Sequence, residues 1–148
     1  MSSMLRISEA TALALHAVVY LAASESRRTT QAIADRLGGS SAHLSKVLQR
    51  LASVGIVSGT RGPRGGFVLA SNPEELRLLE VFEAVEGPFS PSNCLFPSPV
   101  CDRTTCIMGG LLARLNGEIL KYLETTSIAE LTPCCMESSS TIGSNPGE

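Results

Sequence analysis

The stretch SSAHLSKVLQRLASVGIVSGTRGPRGGFVLA, residues 40–70, decides the fold. Its first half places apolar residues at positions i, i+3, i+4 and i+7, which predicts a helix with one buried stripe: Leu44, Val47, Leu48 and Leu51. Its second half has two short apolar segments, 56–58 and 67–70, separated by GTRGPRGG. Four glycines and a proline cannot extend a strand, so this insert predicts the tip of a β-hairpin.

Two further helices are expected before this stretch. Each predicted helix begins after a Ser or Thr whose hydroxyl can accept from a free backbone N–H, and two of the three end at glycine. The predicted caps are Ser8, then Thr29 or Thr30, then Ser40 or Ser41, and the predicted ends are Ala23, Gly38–Gly39 and Gly55.

The charge of the chain is divided unevenly between its two halves. The whole chain has a net charge of −2, but residues 1–70 hold eight Arg and Lys against three Asp and Glu. Residues 71–148 hold four basic against eleven acidic residues. A basic first half favours contact with a polyanion, and the acidic second half is expected to have a different role.

The acidic half is expected to hold two helices separated by a loop. A helix is predicted near Leu78–Glu86, and residues 87–105 are rich in Pro and Ser without any periodicity. A long helix is predicted over about Ile107–Glu124, followed by a brief helical turn at Ser127–Leu131. The tail from Pro133 has little apolar content, which predicts disorder.

The elements of the basic half, taken in order, predict a winged helix-turn-helix, a mostly α fold with a small β-hairpin wing. In this fold the third helix fits the major groove of DNA, and the wing approaches the minor groove or the backbone. Singly, each polar residue here could belong to an ordinary solvated surface, but their order within seventy residues favours DNA binding. We expect Ser41 and His43 to contact base edges. The residues expected to contact phosphates or the minor groove are Thr30, Lys46, Arg50, Arg61 and Arg64.

The long helix carries a wider apolar face than one helix of a small domain needs, which predicts a partner subunit. The predicted dimer interface is Met108, Leu111, Leu115, Ile119 and Tyr122. We therefore expect three segments: a DNA-binding domain over 1–72, a cysteine loop and dimerisation helix over 73–132, and a disordered tail over 133–148.

Neither a membrane protein nor an enzyme is expected. The apolar run Ala12–Ala23 contains His16 and is too short to span a bilayer, so we expect a cytoplasmic protein. The two histidines have no nucleophile at a meaningful spacing, so no catalytic group is predicted.

Three cysteines lie close to the predicted loop at C-x6-C-x4-C spacing: Cys94, Cys101 and Cys106. In a reducing cytoplasm, the five cysteines of the chain favour metal binding or redox sensing over a structural disulfide. Thiolates suit iron–sulfur clusters and zinc, although three free thiols in a loop are the plainer interpretation. The adjacent Cys134 and Cys135 in the tail are expected to be incidental.

The chain resembles the IscR/NsrR/CymR family of bacterial winged-helix regulators. The resemblance rests on LRISEATALALHAVVYLA at 5–22, on residues 40–76 with their RGPRGGF, on LLEVFEAVEGP at 78–88, and on residues 106–131. It therefore covers almost the whole chain. It implies a homodimer in which the long helix crosses its twin, and binding to a partly palindromic duplex DNA operator, usually as a repressor.

In the family resembled, three cysteines at about this place hold an iron–sulfur cluster whose state changes how the dimer sits on DNA. The three loop cysteines occupy the matching positions, but the fourth ligand is unassigned. The chain has Gly109 where some members have a histidine, and Ala12 where others have an aspartate. Glu9 or His16 of a partner's first helix could take that place, or a small molecule could occupy an open position.

Two other functions stay open at this point. One is the same DNA-binding regulator without a metal, controlled by a partner protein, a small effector or thiol oxidation. The other is a small redox or metal-handling protein in which the helix-turn-helix is only a scaffold. The cysteine triplet counts against the first, and DNA binding that falls steeply with salt would exclude the second.

Overall fold

The structure is a computed structural model that describes residues 7–102 and 104–136. Over these residues it contains six helices and one two-stranded antiparallel sheet, which confirms the predicted fold class. In chain order the elements are α1 (Glu9–Ala22), α2 (Thr30–Leu37), α3 (Ser41–Ser53), β1 (Val57–Thr60), β2 (Gly66–Leu69), α4 (Leu78–Glu86), α5 (Leu111–Thr125) and α6 (Ile128–Met136).

Hydroxyl caps begin the first three helices, as the sequence predicts. Each cap satisfies a backbone N–H that the first turn of the helix leaves without a partner. The hydroxyl oxygens of Ser8, Thr29 and Ser40 accept from the backbone N–H groups of Thr11, Ala32 and His43. Gly38 then ends α2 at φ +69°, a left-handed conformation that glycine adopts without steric cost, so α3 can start three residues later, at Ser41.

The wing is the hairpin of β1 and β2, with Val57 opposite Leu69 and Thr60 opposite Gly66. Its strands begin and end one or two residues away from the predicted 56–58 and 67–70, so the tip shortens to 61–65. Strand β2 is fixed near the tip of the wing by Arg28, whose backbone exchanges two hydrogen bonds with that of Phe67, at 3.0 and 2.7 Å. The wing is therefore attached to the segment that leads into α2.

One hydrophobic core joins the two halves of the chain. α1 lies at its centre and packs against α3, α4 and α6, and the side chains of Ala14, Ala17 and Val18 are fully buried. Residues from both sides of position 72 contribute to this core, among them Leu48 and Val81. The division of the chain into a DNA-binding domain and a second segment at residue 72 stays a prediction. The residues on the two sides of this position share one hydrophobic core.

α5 begins at Leu111 rather than at the predicted Ile107. The reason is that Gly109 and Gly110 have φ values of +54° and +79°, and this left-handed conformation does not continue a right-handed helix. The residues before Leu111 instead form turns in which Gly109 N donates to Cys106 O at 2.9 Å. Met108, assigned to the helical dimer face, therefore lies in a turn just before the helix.

α6 is longer than the predicted turn at Ser127–Leu131 and passes through Pro133. Proline has no N–H to donate to the carbonyl four residues earlier, which here is that of Ala129. The hydroxyl of Thr132 donates to this carbonyl at 2.9 Å and so replaces the missing donor. The first four residues of the predicted disordered tail are thus helical, and residues 137–148 lie outside the described residues.

Candidate nucleic-acid interface and cysteine cavity

A groove of about 550 Å³ lies where α2, α3 and the wing meet. Thr30 at the start of α2 and Arg61 on the wing both line it, so the structure brings together two residues that the sequence analysis assigned to DNA. Gln49 of α3 lines it as well and was missed, although it lies one turn after Lys46 on the polar side of the helix. Hydroxyl, amide and guanidinium groups around one groove are suited to hydrogen bonding with phosphate and base edges.

Glycines let the wing approach its neighbours closely. A Cβ on Gly66, at φ +135°, would lie 2.4 Å from the carbonyl oxygen of Arg28, and one on Gly65 would lie 2.3 Å from that of Thr60. Both distances are far below van der Waals contact, so only glycine fits. Arg61 and Arg64 lie in the tip beside these glycines, and both are exposed.

The residues predicted to read base edges lie near the start of α3. Ser41 is half-buried, and His43 Nδ1 lies 3.8 Å from Glu9 Oε1 at the start of α1. Lys46, one turn further along, is exposed. Their roles as DNA contacts stay predictions.

Arg50 has a contact that the sequence did not reveal. Its Nη1 donates to the carbonyl oxygen of Val85 at 2.8 Å and so joins α3 to the last turn of α4. The next residue, Glu86, accepts from the hydroxyls of Ser8 and Thr11 at the start of α1. These hydroxyls hold the pKa of the Glu86 carboxyl below its usual 4.5, and the charge of Arg50 adds a smaller effect in the same direction. Three helices are thus joined at the point where the chain enters the cysteine loop.

The thiol-bearing residues of that loop border one cavity of about 420 Å³. Cys94 and Cys106 are half-buried, whereas Cys101 is exposed. The cavity wall also includes Phe96, Pro97, Pro99, Gly110 and Ala113. Cys94, Cys101 and Cys106 thus line the same cavity, and their role as metal ligands stays a prediction.

The donor set suits a metal centre in its chemistry, because three soft thiolates are the ligands that iron–sulfur clusters and zinc prefer. The side chains are not drawn together around a common point. Within residues 7–102 and 104–136, no three His, Cys, Asp or Glu side chains form a group that could hold a metal ion. Cys134, predicted to be incidental, is exposed on α6 away from this cavity, and the side chain of Cys135 lies outside the described part.

Neither candidate for a fourth ligand lines the cysteine cavity of its own chain. Glu9 faces His43, as described above. His16 lies with Nδ1 2.7 Å from the carbonyl oxygen of Ala12 and borders a separate, mainly apolar cleft between α1 and α6. A ligand role for either residue would require a second chain.

The outer face of α5 is only partly covered. Leu115 is 38% and Tyr122 is 56% exposed, whereas Leu112 and Leu123 are buried against the chain itself. The other residues of the predicted dimer face, Met108, Leu111 and Ile119, are half-buried. α5 therefore presents an apolar face that the chain does not cover.

Comparison with known proteins places this geometry in a family. The family model described as "Rrf2: Iron-dependent Transcriptional regulator" matches residues 7–133. The chain belongs to the Rrf2 family. This family consists of transcriptional regulators, not enzymes, which confirms both the resemblance found in the sequence and the expectation that the chain is not an enzyme.

Curated relatives of this Rrf2 chain carry names of the same kind. The putative HTH-type transcriptional regulator BadM of Rhodopseudomonas palustris is 36% identical over 83 residues, 55% of this chain and 53% of the relative. The HTH-type transcriptional regulator IscR of Photorhabdus laumondii is 30% identical over 99 residues, 67% of this chain and 60% of the relative. The matched segments thus span just over half the length of these two relatives.

Solved structures show the same fold. CymR, titled the global cysteine regulator of B. subtilis, has a TM-score of 0.73 and 26% identity, and the match covers 88% of this chain and 98% of that one. IscR of T. potens has a TM-score of 0.66 and 19% identity over 94% of both chains. The chain therefore has the winged helix-turn-helix fold of the Rrf2 family of transcriptional regulators. Of the helices described, none has both the length and the apolar character needed to cross a membrane.

Proposed function

We propose that the protein is a homodimeric DNA-binding repressor whose operator affinity is set by an iron–sulfur cluster held by Cys94, Cys101 and Cys106. The observation that carries this proposal is that the three cysteines border one cavity beside the start of α5. The description of the family as iron-dependent supports it. The acidic half of the chain would then be the sensor and the basic half the reader.

In this proposal α3 enters the major groove, with Ser41 and His43 towards the base edges. The remaining contacts go to phosphates or the minor groove, from Thr30, Lys46, Arg50, Arg61 and Arg64. Gln49 joins them, because it lines the same groove as Thr30 and Arg61. The wing tip can come close to DNA because its glycines carry no side chains.

The cluster, when bound, would supply iron that gains or loses electrons or reacts with small oxidants. The residues of the chain would supply the site for it. The three cysteines would ligate as thiolates, and Phe96 with the loop prolines would form part of the wall around them. Gly110 and Ala113 leave the side of α5 that faces the cavity free of bulky side chains.

The exposed face of α5 would bring two chains together. Leu115 and Tyr122 lie on it, and a second copy crossing there would cover both. Such a two-fold dimer would present two α3 helices to a partly palindromic operator, because the symmetry of the protein then matches that of the site. A change in the cysteine cavity at one end of α5 could thus alter the spacing of the two reading helices.

The test is purification of the full-length protein without oxygen, with measurement of iron, sulfide and visible absorption. The proposal predicts absorption that disappears when Cys94, Cys101 or Cys106 is replaced by Ala. Cys134→Ala is the matched control and should keep it, because Cys134 lies on α6 away from the cavity. Colourless, iron-free protein that binds its DNA equally well with and without the three cysteines would refute the sensing role and leave the DNA-binding role intact.

The second candidate is the same regulator without a metal, controlled by thiol oxidation, a partner protein or a small effector. Two features favour the thiol version: Cys101 is exposed, and the described residues hold no assembled metal site. Under this alternative the anaerobic protein is free of iron, and oxidation of Cys101 by peroxide changes its affinity for DNA. The same purification therefore separates the two candidates.

A further inference from the structure

Asn116 is a polar residue in the buried stripe of α5. It is only 7% exposed and shares this stripe with Leu112 and Leu123, which are 3% and 8% exposed. Asparagine is a weaker helix former than leucine, and a buried amide costs free energy unless it is hydrogen-bonded. Hydrophobic packing alone therefore does not explain why an asparagine occupies this position.

The amide of Asn116 reaches into the cysteine loop. Its Nδ2 donates to the carbonyl oxygen of Ser92 and to Oδ1 of Asn93, both at 3.0 Å. These two acceptors immediately precede Cys94. Ser92 in turn accepts from Cys94 N at 3.1 Å and donates to Cys94 O at 3.0 Å through its hydroxyl. The backbone of Cys94 is thus connected to α5 through Ser92, and Ser92 is held by Asn116.

The cysteines are held to different degrees. Cys94 is fixed in this way to the middle of α5, and Cys106 lies in the turns just before the start of the same helix. Cys101 lies between them and is exposed. The backbones of Cys94 and Cys106 are therefore both connected to α5. The connection of Cys94 depends on a single side-chain amide, that of Asn116.

We propose that Asn116 is a positioning residue that holds Cys94 at the cysteine cavity through Ser92 and Asn93. A role of Asn116 in binding a metal rests on the proposed function. Its role in positioning the thiol of Cys94 does not depend on that function. Because α5 also carries the exposed apolar face, Asn116 makes the position of Cys94 and the position of the dimer helix interdependent. A change at the cavity is then transmitted through hydrogen bonds rather than through a flexible loop.

The test measures how fast each thiol of the reduced, metal-free, full-length protein reacts with iodoacetamide, cysteine by cysteine, by mass spectrometry. Asn116→Leu removes the donor but fills the buried site with an apolar side chain. It should speed the alkylation of Cys94 about tenfold, because two hydrogen bonds no longer hold Ser92 and Asn93. The reactivity of Cys134 on α6 should stay unchanged, and the Tm should not fall.

Two substitutions at Asn93 separate positioning from general stability. Asn93→Ala removes one acceptor and should speed Cys94 alkylation a few-fold, whereas Asn93→Asp keeps an acceptor oxygen and should show no such rise. Leu123→Val is the packing control: it trims the same buried stripe in the main core and should lower the Tm without raising the Cys94 rate relative to Cys134.

Unchanged Cys94 reactivity in Asn116→Leu would overturn the proposal. So would an equal rise at Cys94 and Cys134, since that indicates general loosening. A second measurement, iron content after anaerobic purification, should fall in Asn116→Leu if the cluster proposal also holds. If the wild type holds no iron but Cys94 still reacts faster in the variant, the positioning role stands and the cluster proposal fails.

Discussion

Replacing Arg50 with alanine should weaken both the fold and the binding of DNA. The structure gives Arg50 one role, because its Nη1 donates to the carbonyl oxygen of Val85 and so joins α3 to α4. The proposed interaction with DNA gives it a second role. Lys46 is the matched control: it lies one turn earlier on the same helix and is exposed, so Lys46→Ala removes the same charge and leaves the hydrogen bond between α3 and α4 in place.

The expected fall in stability follows from this hydrogen bond of 2.8 Å. A hydrogen bond from a charged donor contributes about 1.5–3 kcal/mol, and partial exposure of the Arg50 side chain reduces this towards the lower end. We therefore expect Arg50→Ala to lower the free energy of unfolding by about 1–2 kcal/mol, equivalent to a fall in Tm of roughly 3–8 °C for a domain of this size. Lys46→Ala should change it by less than about 0.5 kcal/mol.

Thermal unfolding followed by far-UV circular dichroism measures the first effect. Fluorescence anisotropy of labelled duplex DNA over a range of salt concentrations measures the second. Removing one side chain that binds a phosphate should reduce the slope of log affinity against log salt by about 0.9. Equal Tm values for the two variants would refute the stabilising role of the hydrogen bond to Val85. An unchanged salt slope in Arg50→Ala would refute only its binding to phosphate.

Three further substitutions test other parts of the molecule. Gly66→Ala should displace the wing, because the new Cβ would lie 2.4 Å from the carbonyl oxygen of Arg28. The affinity for DNA should fall roughly tenfold, while the helix content stays unchanged. Full affinity in the anisotropy assay would contradict this. The folded-state pKa of Glu86 is lowered, so its stabilisation is present above about pH 4.5 and is lost as the pH falls through the lowered pKa. Glu86→Gln should therefore unfold more easily at pH 7 and show a weaker acid dependence below pH 4.5, and identical pH–stability curves would count against the hydrogen bond with Ser8. Leu115→Glu should convert a dimer to a monomer in analytical ultracentrifugation, whereas Lys121→Glu should not; a Leu115→Glu variant that remains dimeric would exclude this face.

The basic half of the fold could be predicted closely because its determinants are local. A cap such as Ser8 acts on a backbone N–H three residues away, and the stripe of α3 repeats within two turns. The tight turns need glycine at particular positions, so RGPRGG marks the wing directly. The same reasoning found the three cysteines, although it could not show that they border a common cavity.

The hydrogen bonds that join the elements could not be predicted in this way. Arg50 and Val85 are 35 residues apart, and Asn116 and Ser92 are 24 apart, so neither pair has a sequence period. Two helix bounds were missed for local reasons of another kind. The left-handed Gly109 and Gly110 delay the start of α5, and the hydroxyl beside Pro133 lets α6 continue. Both depend on conformations that apolar periodicity does not encode.

The central claim is that a cluster on the three loop cysteines sets the affinity for DNA. The most direct test uses a duplex selected from a random-sequence pool by the anaerobic full-length protein. Its affinity is measured by anisotropy at one fixed salt concentration, before and after iron is removed by a chelator. The account predicts iron and sulfide in the starting protein and a change in affinity of about tenfold or more on their removal, absent from Cys94→Ala. Equal affinity before and after removal of measured iron would contradict it.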